Sequence, residues 1–341
     1  MKDDQATERR GDGSVLRRRG RSAAAYVIAA VLIGCAALWV VRHWDRVEAA
    51  FSLSPGYLAV LLPLTVLSFL TVGLLNQVVA GHLGARLRFL QWASLAFAAF
   101  LANYVLPARA GLAVRAAYYK RIKCFPISSF VSAMAVVYVT TLLVACVICI
   151  GALTWLWRVE GLVCRPLFLG AAVAAALCVA VLVLSGRASQ RPARPGIWEA
   201  FTRIRAGWDM LIRSPGLMIC VAGLCIAVAG MGALRLGIAF AATGHRVGVA
   251  GCLLLASLVS LSTFISITPA GLGIREAVLV FSSMAIGVPP EQSLIAGATL
   301  RAVNILIVFT LGPISAARIS REAARGPDGP DSPGIRGDGV E

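Results

Sequence analysis

The sequence predicts an all-α polytopic membrane protein with about six full transmembrane helices and two re-entrant helical hairpins, arranged as an inverted repeat. Three observations lead there. The chain is 59% hydrophobic and only 14% charged, with a mean hydropathy of +0.82, a balance foreign to water-soluble domains. Its apolar residues come in blocks of about 20, the length a helix needs to cross ~30 Å of hydrocarbon. Its arginines gather mostly between those blocks. A β-barrel would show short segments of alternating polarity, and the sequence has none.

Residues 1–22 form a basic tail with Arg9, Arg10, Arg17, Arg18, Arg19 and Arg21 ahead of the first block. This tail is expected to be disordered and cytoplasmic. The block at 23–41 has no small-residue cleavage site close behind it, so it reads as an uncleaved first span. It crosses outward, and 57–79 returns. Residues 89–106 then pose a conflict. A full crossing would leave PARAGLAVRAAYYKRIK outside, with Arg109, Arg115, Lys120, Arg121 and Lys123. A hairpin that enters, breaks at Pro107 and returns to the cytoplasm removes the conflict, because irregular backbone is tolerated at membrane depth where protein or a polar cavity surrounds it.

Residues 127–153 go out to a short loop with Trp155 and Trp157, an interface signal. Residues 166–184 come back. The cytoplasmic loop 185–213 is expected to hold an amphipathic surface helix over 197–212, with Trp198, Phe201, Ile204, Trp208 and Leu211 roughly on one side. Residues 216–240 cross outward. The stretch 249–286, broken at PAGLG, is the second hairpin and enters from outside. Residues 292–314 return to a polar tail, 320–341, expected to be disordered. The membrane domain thus spans 23–319 in the plasma (inner) membrane, with both termini cytoplasmic. Each half reads span, hairpin, span, in opposite orientations. Pro107-Ala108-Arg109-Ala110-Gly111 echoes Pro269-Ala270-Gly271-Leu272-Gly273. Inverted repeats with paired broken helices near the midplane are a transporter feature.

Several function classes fall away. The net charge of +16 flanks spans instead of interleaving with aromatics, which argues against nucleic acid and fits anionic headgroups. The nine cysteines lie mostly inside apolar blocks, and Cys146 and Cys149 read as small buried hydrophobes. His43, His82 and His245 make no metal-ligand spacing. No G-x-x-x-x-G-K-[ST] occurs and no Ser-His-Asp set can be assembled, so neither an ATP motor nor an enzyme is expected, nor any cofactor or metal. Gly230-Met231-Gly232 suits close helix packing, and Arg235 reads as snorkelling to the outer interface.

The candidate chemistry sits at the two breaks. Pro269, Gly271 and Gly273 end one helix and let the next begin, freeing backbone N–H groups that favour an anion. Arg275 adds a fixed charge, and Arg301 with Asn304 lies deep in the last span on roughly one face. Pro107 and Gly111 mark the first break, with Arg109 and Arg115 flanking it and Asn103, Asn76 and Gln77 nearby. A charge in hydrocarbon costs ~2.5–3.5 kcal/mol, so these groups should face a bundle interior. Two roles are open to Glu276. It can pair with Arg275 or Arg301 and close the structure, or balance charge and take the amine of a zwitterionic headgroup whose phosphate the arginines hold.

TPAGLGIREA resembles the Pro-Gly-Gly-Leu-Gly-x-Arg-Glu signature of the lysylphosphatidylglycerol synthase transmembrane family, also called flippase-like, and LPARAGLAVRAAYYKR resembles that family's earlier motif. The resemblance covers about 23–319. It falls on Pro269, Gly271, Gly273, Arg275 and Glu276, and more weakly on Pro107, Arg109, Gly111 and Arg115. Where the family usually has a Glu after the glycine, this chain has Leu112. The resemblance implies a stand-alone membrane domain without the soluble aminoacyltransferase domain, linked to lipid, glycolipid or hopanoid pathways.

The function expected is non-ATP-driven translocation (flippase or scramblase) of phosphate-bearing membrane lipids between leaflets, with Arg275, Glu276, Arg301, Asn304, Arg109 and Arg115 as headgroup residues. The partners expected are anionic or phosphate-bearing lipids, with a lipid-modifying enzyme as a further candidate. The alternative is a non-transporting membrane partner that presents lipid to a biosynthetic enzyme. A small-solute transporter is a third reading.

Overall fold

The computed structural model describes residues 55–106, 109–161, 165–187, 206–264, 271 and 273–325. The expected first span at 23–41 and the tail at 1–22 lie outside them, as do Pro107 and Pro269. Among the described residues the chain is helical without a strand. The helices are α1 (Pro55–His82), α2 (Phe89–Val105), α3 (Ala110–Lys123), α4 (Ile127–Glu160), α5 (Arg165–Arg187), α6 (Pro215–Ala242), α7 (Val249–Ser262), α8 (Ile274–Met284) and α9 (Pro290–Arg325), and residues 206–212 are also helical.

By length and composition α1, α4, α6 and α9 can cross a membrane. The reason is visible on their surfaces. Large apolar side chains such as Leu67, Val147, Ile219 and Ile314 stand exposed, as they do where lipid is the solvent. Hydroxyls return to their own helices, as in the buried Thr65 to Leu61 O (2.7 Å) and the half-buried Thr141 to Val137 O (2.7 Å). In α5 the described apolar stretch is Leu167–Val181.

The broken segments are too short to span. With 17, 14, 14 and 11 residues, α2, α3, α7 and α8 each rise less than the ~30 Å core at ~1.5 Å per residue. Within each pair, α2 with α3 and α7 with α8, the second helix packs against the first.

A longer repeat runs through the chain than the five-residue echo at the breaks. Helices α1 and α6 are both 28 residues, and α6 begins at Pro215, 160 residues after α1 at Pro55. Both begin at the proline of a Ser-Pro-Gly triplet. Each ends in a glycine of left-handed backbone, Gly84 at φ 97° and Gly244 at φ 79°, followed by four residues outside any helix. The same shift relates the starts of α2 and α7 at Phe89 and Val249. The packing repeats too. Helix α1 lies on α6, while α2 crosses to α9 and α7 crosses to α4. Each half therefore lends the first helix of its broken pair to the last long helix of the other half.

Three local expectations change. Trp155 and Trp157 lie on the last turns of α4 instead of in a loop, and both are well exposed, consistent with an interface position. Helix α9 continues to Arg325, into the segment expected as a tail, where Tyr118 Oη donates to Glu322 Oε2 (2.7 Å) and Arg318 pairs with Glu322 (3.2 Å). The 197–212 surface helix is described only at its end. There Trp208 and Leu211 are buried in the main core beside Tyr119, Phe130 and Val136, so that end packs on protein and not on a membrane surface.

Candidate functional site

The second break is shaped by its glycines. Gly271 (φ 68°) and Gly273 (φ 82°) hold left-handed backbone, which side-chain-bearing residues adopt at a cost, and α8 starts directly after. The N–H of Gly273 donates to Glu276 Oε2 (2.9 Å), so the carboxylate caps the new helix. The other carboxylate oxygen of Glu276 accepts from Arg301 Nη1 on α9. Glu276 thereby ties the break to the last long helix. Gly297 allows this closeness, because a Cβ there would come within 3.0 Å of Leu279 on α8.

Around that tie lies a cavity of about 110 Å³. Tyr104, Arg235, Arg275, Glu276, Arg301 and Asn304 form most of its polar lining, and α7 contributes Ser260 with the apolar Ala256 and Val259. Four of the six sequence candidates for headgroup binding, Arg275, Glu276, Arg301 and Asn304, are thus in one place. The pairing role of Glu276 is present, and its partner is Arg301.

Two contributors escaped the sequence reading. Arg235 does not reach an interface. It is 9% exposed, and its Nη2 donates to Asn304 Oδ1 across the cavity wall. A signal existed, since Ala242 at the helix end is seven residues on and everything between is apolar, so no polar surface lies within roughly 10 Å of rise. Tyr104 comes from α2, in the other half of the chain, and only the crossing of α2 onto α9 brings it here. No pattern within the sequence announces that crossing.

The electrostatic consequence is a surplus. Three guanidinium groups face one carboxylate, which leaves two positive charges unbalanced among the described lining residues. Nε of Arg235 and Nε of Arg275 are buried without a hydrogen-bond partner. Buried donors of this kind are costly unless something accepts from them.

Arg109 and Arg115 lie elsewhere. Arg109 is the N-cap of α3 and holds left-handed backbone itself (φ 55°). Its Nη2 donates to the carbonyl of Thr263, just past α7, and its guanidinium lies 5.7 Å from the Tyr138 ring centre and 5.8 Å from that of Phe264. Arg115 is partly buried on α3 beside Tyr119 and Tyr138. The Gly111 N–H at this break is taken, because Asn103 Oδ1 accepts from it (2.8 Å). Gly111 is required here, since a Cβ would stand 2.8 Å from that oxygen and closer still to the Ala99 carbonyl. Asn76 donates to Val72 O of its own helix (2.6 Å), and Gln77 accepts from Tyr119 Oη (3.1 Å), so both hold structure.

Among the described residues the first break thus has its arginine bonded to the end of α7, whereas the second borders an arginine-lined cavity. No curated protein matches the chain. Residues 27–312 match the family described as the lysylphosphatidylglycerol synthase TM region, and with most of its length inside that match, and both breaks with it, the chain belongs to this family of membrane domains.

Proposed function

We propose that this protein moves phosphate-bearing lipids between membrane leaflets without ATP, as a flippase or scramblase. The observation that carries the reading is the convergence of Arg235, Arg275 and Arg301 on one cavity among apolar helices, with one carboxylate to set against them. Fixed cations held in a preformed pocket among apolar helices suit a phosphate whose acyl chains stay in lipid. Family membership supports a role with membrane lipids.

In this reading α2–α3 and α7–α8 are re-entrant hairpins that enter from opposite sides, and both termini face the cytoplasm of the inner membrane. The inverted orientation rests on the arginine-rich segments flanking the first hairpin and following the last span. Repeats that exchange their hairpins provide two pseudo-equivalent sites, one for each leaflet. Arg109 and Arg115 serve the first, and the cavity serves the second.

The test is reconstitution in vesicles with acyl-labelled phosphatidylglycerol or phosphatidic acid. Movement faster than in protein-free vesicles, abolished by Arg275→Ala and by Glu276→Ala, supports the proposal. Movement at the protein-free rate overturns it. Lipid retained by the purified protein without transport would assign the chain to the alternative, a partner that presents lipid to a biosynthetic enzyme.

A further inference from the structure

Resting on the reading of the cavity as a headgroup site, we infer that it is built for a doubly charged phosphate, a phosphomonoester or terminal diphosphate, and that Arg235 sets this preference. The lining carries two positive charges beyond what Glu276 balances. Glu276 is already committed, with one oxygen on Arg301 and the other on the Gly273 N–H. Arg235 and Arg275 are left facing each other's charge across a buried space, each with a buried Nε that has no acceptor among the described residues. Like charges so placed repel, and an anion between them relieves the penalty.

A phosphodiester monoanion neutralises one of the two charges. A phosphomonoester, with about −1.5 to −2 charge at neutral pH and three acceptor oxygens, neutralises both and can reach both arginines at once. The space fits such a group. At roughly 10–15 Å³ per water in the same measure, about 110 Å³ holds several water-sized groups. Tyr104, also on the lining, offers a hydroxyl to a further oxygen. Arg235 is the specificity determinant because its hydrogen-bond partner among the described residues, Asn304, is neutral, so its charge is available to the ligand.

The chemistry recognised is shared by a lipid headgroup and by free phosphate, so the test has arms for both. The full chain is placed in phosphatidylcholine nanodiscs doped with acyl-labelled phosphatidic acid, a phosphomonoester, or phosphatidylglycerol, a phosphodiester, and retained label is measured. Inorganic phosphate is titrated separately against thermal unfolding. Wild type is expected to retain phosphatidic acid roughly tenfold better, the size of one charge-assisted contact. That preference should shrink between about pH 8 and about pH 5, across the phosphomonoester's second pKa of about 6. Arg235→Gln should abolish the preference and Arg235→Lys, which keeps the charge, should preserve it.

Equal retention of the two lipids, or a preference untouched by Arg235→Gln while that variant remains folded, overturns the inference and leaves the lipid site standing. Retention of neither lipid, with no stabilisation by inorganic phosphate, overturns the inference and the proposed function together. Retention of neither lipid together with stabilisation by inorganic phosphate upholds the dianion site but gives it to a soluble anion, against the proposed function.

Discussion

Replacing Glu276 by glutamine separates charge from capping at the centre of the site. In Glu276→Gln an amide oxygen can still accept from the Gly273 N–H, as Glu276 Oε2 does at 2.9 Å. Arg301 meanwhile loses its counter-ion, and the cavity's positive surplus rises from two to three. Breaking one side of a fully buried pair costs ~3–5 kcal/mol. Here the two side chains keep 18% and 24% exposure, so screening reduces the loss to about 2 kcal/mol. Glu276→Ala removes the cap as well and should cost about 1 kcal/mol more. Chemical unfolding in mixed micelles reads these differences, and the expected order of stability is wild type, then Gln, then Ala. In a double-mutant cycle Arg301→Gln on top of Glu276→Gln should cost less than the sum, with a coupling of about 1–2 kcal/mol. Millimolar phosphate should restore more stability to Glu276→Gln than to wild type, because an anion relieves the larger surplus. Strict additivity in the cycle would falsify the ion-pair account, and equal losses for Gln and Ala would remove the capping role.

Further tests reach other parts of the fold. Gly111→Ala should destabilise by ~1–3 kcal/mol through overpacking against Asn103 and the Ala99 carbonyl, and a compensating Asn103→Ser should recover part of the loss. Leu211→Ala empties a fully buried position in the main core and should cost ~2–5 kcal/mol, whereas a helix end lying on lipid would lose far less. Single cysteines at Arg86 and Lys123, in a background without native cysteines, should be labelled by an impermeant thiol reagent from the same side of the membrane. Labelling from opposite sides would show that the α2–α3 unit crosses.

Much of the architecture was legible in the sequence because lipid imposes simple rules. A helix needs length and an apolar surface, and α1, α4, α6 and α9 supply both. The second break was legible as well. Proline, two glycines and an Arg-Glu pair in an oily run have few explanations other than an interior polar site, and Arg275, Glu276, Arg301 and Asn304 do share one cavity. What stayed hidden depends on three-dimensional exchange. Tyr104 reaches the cavity only because α2 leaves its own half, whereas the depth of Arg235 was readable in the apolar run to Ala242 and only its cavity neighbours were not. The 160-residue shift was present in the letters Ser-Pro-Gly and in the paired left-handed glycines. So few identities, spread over so long a distance, gain meaning only when the helices they bound prove equal in length.

That shift also pairs Tyr104 with Phe264, and the pair exposes how the two sites differ. Tyr104 lines the open cavity, while Phe264 packs edge-on against Tyr138 with ring centres 5.8 Å apart, and Arg109 lies against both rings. Arg109 also donates to the Thr263 carbonyl, so one side chain of the first pair grips the point where α7 ends. A charged hydrogen bond of ~1.5–3 kcal/mol and cation–π contacts of ~0.5–2 kcal/mol favour the arrangement in which the first site is shut and the second is open. If the sites alternate, Arg109→Ala should shift that balance by tenfold or more, since each ~1.4 kcal/mol is a factor of ten. A cysteine at Leu112, in the first turn of α3, reports it, because thiol labelling there should rise by at least that factor when Arg109 is removed. Adding Thr263→Pro would not serve as a control, since it alters the helix end itself. Arg109→Lys does serve, because it keeps a charged donor and should restore much of the protection. Labelling at 112 that is equal in the wild-type, Ala and Lys backgrounds would mean that Arg109 is a static strut, and the two breaks would then be structurally similar without working in turn.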